Sequence, residues 1–245
     1  MTGARLRAVA LGIVGVLVLV MVSGLVWAHT VMAGDRTAAL TAWTNNAVSI
    51  TDTGHSVILA PATGESSRGL VFVPGAKVDP YAYLYKLSGI AEQGTTVVIT
   101  KPTLNLALAD LRPLTTFTAD VPHVTIWLVG GHSLGGVKAC QYATDNDVDG
   151  LVLFGSYCAS DLSDNDLPVL SFVAENDGLS TPQKIADAMG NLPDDPSVVE
   201  IPGANHANFG NYGEQPGDGT STADDSNVQG ILTDEIVAWM SLLDR

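Results

Sequence analysis

Thr125-Ile126-Trp127-Leu128-Val129-Gly130-Gly131-His132-Ser133-Leu134-Gly135-Gly136-Val137-Lys138-Ala139 is the stretch on which the reading of the whole chain turns. Its first half is a short β-branched, apolar run of the kind that forms a strand buried on both faces. Its second half, from Val137 to Ala143, reads as helix. Ser133 stands at the junction, with a glycine two positions away on either side. A serine so placed is predicted to occupy a sharp, strained strand-to-helix turn that lifts its hydroxyl above the sheet edge. Any Cβ at 131 or 135 is expected to collide with the facing strand or helix, so glycine is needed at both, and Gly136 adds room. The helix beginning at Leu134 points unpaired N–H groups and partial positive charge at the same spot. The pentapeptide alone recurs by chance; its strand-turn-helix setting is what makes Ser133 a candidate nucleophile for a carbonyl carbon.

The flanking sequence repeats the pattern. Apolar runs bounded by turn residues lie at Gly69–Val73, Thr95–Thr100, Gly150–Phe154, Val169–Ala174 and Val198–Ile201. Helix signals fall between them. Asp79-Pro80 caps a segment running to Gly94, and Thr181-Pro182 starts one through Met189. Val228, Ile231, Leu232, Ile236, Trp239 and Met240 share a face of the last helix. Ala47–Ile50 and Ser56–Leu59, around Asp52-Thr53-Gly54, predict an antiparallel hairpin. Such alternation predicts an α/β fold, a mostly parallel sheet with helices on both faces. The connection Gly155–Pro168 is too short for a large lid. Gly213–Asn227, rich in Gly, Asp, Ser and Thr, is expected to be mobile or to border the site.

A serine in this turn needs a base and an acid, arriving in the chain order Ser, Asp, His at the carboxyl edge of the sheet. Asp177 follows the run Val169–Ala174 at that edge, with Glu175 as the rival acid. His206 follows Val198–Ile201, also at that edge. The other histidines fit poorly. His29 adjoins an apolar segment, His55 lies in the hairpin, and His123 precedes a strand at the opposite edge; His132 is expected to face away from Ser133. Oxyanion donors are predicted from the N–H of Leu134 and from the turn Val73-Pro74-Gly75-Ala76-Lys77, where Ala76 is the chosen residue.

Composition narrows the class. A chain of 245 residues with 46% hydrophobic content can bury a full core. A net charge of −15 without any basic stripe argues against a nucleic-acid partner. No His/Cys spacing suits a metal, and neither a metal nor an organic cofactor is implied. Arg5 and Arg7 precede an uncharged run from Ala8 to Ala28, which as helix would reach roughly 31 Å, enough to cross a bilayer's hydrocarbon. Residues 1–33 therefore read as a single-pass membrane anchor with the catalytic domain outside the cytoplasm. The alternative is an export signal cut after Val31-Met32-Ala33, which would leave a secreted protein. Residues 34–46 read as a short stalk and 47–245 as the catalytic domain. Cys140 and Cys158 could form a disulfide outside the cytoplasm, but two small buried apolar side chains is the favoured reading.

Taken together, Gly69–Val73 running into Pro74-Gly75-Ala76, Asp79-Pro80, Lys101-Pro102, Leu104-Asn105-Leu106-Ala107, Gly131–Gly136 and Asn205–Gly213 resemble the bacterial α/β-hydrolase-fold proteins related to dienelactone hydrolases. The resemblance covers roughly residues 47 to 243 and implies that fold, with a Ser133/Asp177/His206 triad. It implies no particular substrate. Dienelactone hydrolases proper use a cysteine nucleophile, and Ser133 stands in its place here. The expected activity is acyl transfer from a small-molecule ester to water. A thioesterase, amidase or peptidase on the same triad is an alternative, as is a non-catalytic binding member. Lys101 and Asn105, at a strand's carboxyl edge, are candidate substrate contacts; a plain surface Lys101, or one paired with a nearby carboxylate, is the competing reading. Phe209 and Tyr212 line the pocket or simply pack.

Overall fold

The strand runs read from sequence assemble into one eight-stranded sheet of order β1-β2-β4-β3-β5-β6-β7-β8. In this computed structural model, which describes residues 3–243, the strands are β1 (Val48–Asp52), β2 (Ser56–Pro61), β3 (Arg68–Val73), β4 (Thr96–Thr100), β5 (Ile126–His132), β6 (Gly150–Phe154), β7 (Val169–Ala174) and β8 (Ser197–Ile201). The first two residues of the expected anchor and the last two of the expected domain lie outside the described residues. Pairing of β1 with β2 and of β2 with β4 is antiparallel, and every other pairing is parallel. The sheet is open, not closed into a barrel.

Helices α1 (Gly3–His29), α2 (Arg36–Trp43), α3 (Leu84–Glu92), α4 (Thr115–Thr118), α5 (Leu134–Asp145), α6 (Pro182–Asp187) and α7 (Asp225–Leu242) complete the fold. Alternation along each strand sends side chains to two separate cores. Leu70 and Phe72 of β3 face one way with Leu87 of α3 and Leu232 of α7. Val71 and Val73 face the other way, with Ala139 and Cys140 of α5 and Phe117 of α4. Asp79 and Thr181 cap their helices as their positions suggest, accepting from Tyr81 N–H and Lys184 N–H. Residues 155–168, between β6 and β7, contain no helix.

Two expectations change. The segment 34–46 is not an extended stalk. Asp35 caps α2 by accepting the Ala38 N–H at 2.8 Å, Ala42 is buried, and α2 packs on α3 and β1. A capping aspartate followed by Ala- and Leu-rich sequence supplies one buried face, which suffices once α3 is there to receive it. Cys140 and Cys158 are bonded to each other, with Cα atoms 5.6 Å apart. The bond pins α5, the helix that follows Ser133, to the loop after β6.

α1 is long and apolar enough to cross a membrane, with a mean hydropathy of 2.8 over its best window and none of that window buried by the rest of the chain. Its C-terminal end is not free. Ala28 is buried, its carbonyl accepts from Asn105 Nδ2 at 3.0 Å, and Met32 forms a parallel bridge with Val78.

Candidate active site

Ser133 lies between β5 and α5 at φ 53°, ψ −124°, a backbone conformation that survives only when its surroundings hold it. They do so from two sides. The Ser133 N–H donates to Phe154 O at 3.0 Å, and the Ser133 carbonyl accepts from Ser156 Oγ at 2.6 Å. The glycines are needed for clearance. A Cβ on Gly131 would lie 2.4 Å from the Gly135 carbonyl carbon, and one on Gly135 would lie 2.0 Å from Val73 O and 2.5 Å from Pro74 O. These are backbone atoms, so no rotamer change relieves the clash. The same closeness brings the N-terminus of α5 against the turn after β3.

Asp177 and His206 form a buried pair. His206 Nδ1 and Asp177 Oδ2 are 2.7 Å apart, with 1% and 0% of the two side chains exposed. Asp177 Oδ1 accepts two backbone N–H groups, from Leu179 at 2.8 Å and Ser180 at 2.7 Å. His206 Nε2 is buried and has no hydrogen-bond partner among the described residues. It is the ring atom left to exchange a proton. The pair abuts the serine turn through β6: Phe154 holds Ser133 N–H, and a Cβ on the next residue, Gly155, would lie 3.0 Å from Asp177 Oδ2. Glu175, the rival acid, is exposed and accepts the Gly203 N–H at 2.7 Å, which braces the loop before His206.

The turn after β3 offers one open donor. Gly75 N–H is taken up by Tyr83 Oη at 2.9 Å, whereas Ala76 N–H meets no protein acceptor among the described residues. Leu134 N–H, at the first position of α5, is likewise without one, as the first turn of a helix requires. Ser133 itself is half-buried.

His132 does not stand apart from the site. Its ring lies 4.4 Å, centroid to centroid, from that of His206, and its Nδ1 is hydrogen-bonded to Tyr83 Oη at 2.9 Å. The rings of His206, Phe209 and Tyr212, all from the segment after β8, lie against His132. Burial, and then the neighbouring His206, hold His132 well below the ordinary imidazole value, so it stays neutral.

The remaining candidates serve other purposes. Lys101 is ion-paired with Asp52 of the hairpin and donates to Thr53 O at 3.0 Å; this pairing keeps the Asp52 carboxyl below the usual range. Lys101 is thus committed to a carboxylate of its own chain, not held open for a substrate. Asn105 ties the end of α1 and, through its carbonyl, accepts Lys77 N–H at 2.7 Å. Phe209 is fully buried against Phe154 and His132, as part of the core. Tyr212 packs 6.1 Å from His132 and its hydroxyl donates to Gln215 Oε1 at 3.1 Å. A cavity of about 660 Å³ between α6 and the β7–β8 edge is lined by none of these residues.

One residue escaped the sequence reading. Asp218 Oδ1 accepts N–H groups from Gly178 and His206, each at 3.1 Å, and from Gly219 at 2.7 Å; its Oδ2 accepts Ala207 N–H at 2.9 Å. A single carboxylate therefore splices the Asp177 loop to the His206 loop. Nothing local marks it, since an aspartate between two glycines reads as a turn. The segment Gly213–Asn227, expected to be mobile or to border the site, is joined to the Asp177 and His206 loops through this residue and through Asn205 Nδ2, which donates to Gly219 O at 2.7 Å.

Among the described residues no cluster of His, Cys, Asp and Glu could hold a metal ion. A search of curated proteins found no match to the chain. The profile of the alpha/beta hydrolase family matches residues 69–229, a span that contains Ser133, Asp177 and His206 together with the turn after β3. With that match over most of the chain, and with this sheet order, the protein belongs to the alpha/beta hydrolase family.

Proposed function

We propose that the protein is a serine hydrolase of ester-type carbonyls, with Ser133 as nucleophile, His206 as general base and acid, and Asp177 as its orienting carboxylate. The observation that carries the reading is the buried 2.7 Å contact between Asp177 and His206 Nδ1, in a chain whose candidate serine is held at positive φ after a neighbouring strand. Asp177 accepts a hydrogen bond from His206 Nδ1–H and stays ionised, which leaves His206 Nε2 as the basic atom. Ser133 Oγ attacks the carbonyl carbon while its proton passes to Nε2. Negative charge on the carbonyl oxygen is met by the N–H groups of Ala76 and Leu134, fixed in advance by the turn and by the α5 N-terminus. Collapse expels the alcohol, which takes the proton from Nε2. Water then repeats the cycle on the acyl-serine, releasing the acid and restoring Ser133.

Ester substrates are preferred over amides in this reading because an alkoxide leaves more readily than an amine. The short, helix-free 155–168 segment favours a shallow-bound substrate over one sealed under a lid. Within the family we place the chain near the dienelactone-hydrolase-like members, on Lys101-Pro102 and Asn205–Gly213. We read residues 1–33 as a retained membrane anchor with the hydrolase domain, about 47–245, outside the cytoplasm. Arg5 and Arg7 on one flank support that orientation, and the disulfide supports an oxidising compartment. Residues 28–32 are bonded into the domain, which favours retention over cleavage after Ala33.

The test is direct. A fluorophosphonate probe should label Ser133, and Ser133→Ala should abolish hydrolysis of p-nitrophenyl butyrate with unchanged melting. Full activity in that variant would remove Ser133 from the chemistry.

A further inference from the structure

We propose that the carboxyl edge of the sheet, where Ser133 lies, rests on the membrane surface, and that the substrate is an ester whose acyl chain resides in the bilayer. The proposal builds on the reading of α1 as a membrane anchor and of Ser133 as an ester-cleaving nucleophile.

The first observation is where α1 ends. It does not lead into a flexible tether but docks directly on the loops of the site edge. Ala28 O accepts from Asn105 Nδ2 at 3.0 Å, Met32 N–H donates to Lys77 O at 2.7 Å, and Asp79 N–H donates to Met32 O at 3.0 Å. Lys77 Nζ lies 4.3 Å from the centroid of the Trp27 ring. Met32, which touches the oxyanion turn, lies three residues on from His29, the end of the apolar helix; extended chain covers that in ~10 Å. The headgroup layer on each side of a bilayer is roughly 5–8 Å thick. A helix that fills the hydrocarbon therefore places Ala76 and Lys77 at about headgroup level, with Trp27 at the interface where tryptophan concentrates.

The second observation is the loop between β4 and α4. It spans from the end of α1, which its Thr103–Asn105 turn contacts, to α5, which its Ala107–Ala109 turn contacts. Along it Leu104, Leu108 and Leu111 are 38%, 44% and 89% exposed. Leu104 and Asn105 are held at φ 57° and 54°, so the loop is set in a costly backbone form that keeps it out from the sheet. Exposed leucines continuous with a membrane helix bury their apolar surface once the bilayer is present. They lie beside the nucleophile's own helix. An acyl chain there needs no deep pocket in the protein, because the lipid supplies its apolar surroundings and only the carbonyl must rise to Ser133. The chemistry is unchanged: ester and water give acid and alcohol.

The experiment uses the full chain in nanodiscs of phosphatidylcholine and phosphatidylglycerol at a four-to-one ratio, with two esters that share a leaving group. p-Nitrophenyl palmitate partitions into the bilayer and p-nitrophenyl butyrate stays in water. Leu108→Asp with Leu111→Asp should lower palmitate turnover on the order of tenfold and leave butyrate turnover unchanged; equal rates on palmitate would overturn the proposal. Because no cysteine is free among the described residues, Leu111→Cys can carry a single nitrobenzoxadiazole label, and lipid-borne nitroxide should quench it. Butyrate hydrolysis with an unquenched label sinks the membrane seating and leaves the hydrolase reading intact. A quenched label with neither ester cleaved sinks the hydrolase reading, and with it the substrate.

Discussion

Replacing Asp177 with asparagine tests the site at the point where geometry makes the strongest demand. Asp177 Oδ1 accepts the N–H groups of Leu179 and Ser180, so the oxygen of an asparagine must stay there. Its NH₂ group is then forced into the Oδ2 position, 2.7 Å from His206 Nδ1. Two donors cannot face each other. His206 would accept at Nδ1 and carry its proton on Nε2, the atom that must take the serine proton. The charge on the acid is lost as well. At an effective dielectric of ~20, a carboxylate attracts an imidazolium ~4 Å away by about 4 kcal/mol, equivalent to roughly 10³-fold in rate. With the wrong tautomer added, kcat on p-nitrophenyl butyrate should fall on the order of 10³- to 10⁴-fold. Size and backbone hydrogen bonds are retained, so the melting temperature should move only slightly. A kcat within about tenfold of wild type, measured on protein with native melting, would refute the role assigned to Asp177.

Other perturbations have separate readouts. Asp218→Ala leaves the N–H groups of Gly178, His206, Ala207 and Gly219 without their acceptor; at about 1–3 kcal/mol for a buried orphan, both kcat and melting temperature should drop. Asp218→Asn, which keeps the three-bond oxygen, should recover most of both, and identical losses in the two variants would count against the splice. Removing the Cys140–Cys158 bond, which spans 18 residues, in a double alanine variant should cost about 3 kcal/mol and lower the melting temperature by roughly 6–12 °C. No change would mean the bond is unformed in the working protein. His132 is held neutral below its ordinary value of 6.5, so the unfolded chain binds a proton there that the folded chain refuses. Its contribution to stability is complete above pH 6.5 and is lost as pH falls from 6.5 toward the lower folded value, at up to about 1.4 kcal/mol per pH unit. His132→Asn should flatten the acid limb of the stability curve by that slope; an unaltered slope would contradict the burial argument.

The strands at Gly150–Phe154 and Val169–Ala174, the serine turn, and the placing of Asp177 and His206 at one sheet edge were all legible from residue order. Each depends on local periodicity, on a glycine that clears backbone within a few residues, or on the rule that parallel strands share a carboxyl edge. Partnerships between distant segments were not legible. From sequence, Lys101 reads as a substrate contact or half of an ion pair until the β1–β2 hairpin brings Asp52 to it, and Phe209 as pocket wall or packing until β6 places Phe154 behind it. Asp218 reads as an ordinary turn, and Cys140 and Cys158 as two buried thiols, until folding closes the distances. The segment Arg36–Trp43 shows too short an apolar face to call a helix without α3 beside it. Residues 1–33 announce an apolar helix by composition, but only the folded chain joins Ala28 to Asn105 and Met32 to the turn that carries Ala76. Periodicity and backbone sterics act over a few residues and are written in the order of side chains. Pairing, burial and strain depend on which remote elements meet, and that is decided by the packing of the whole sheet.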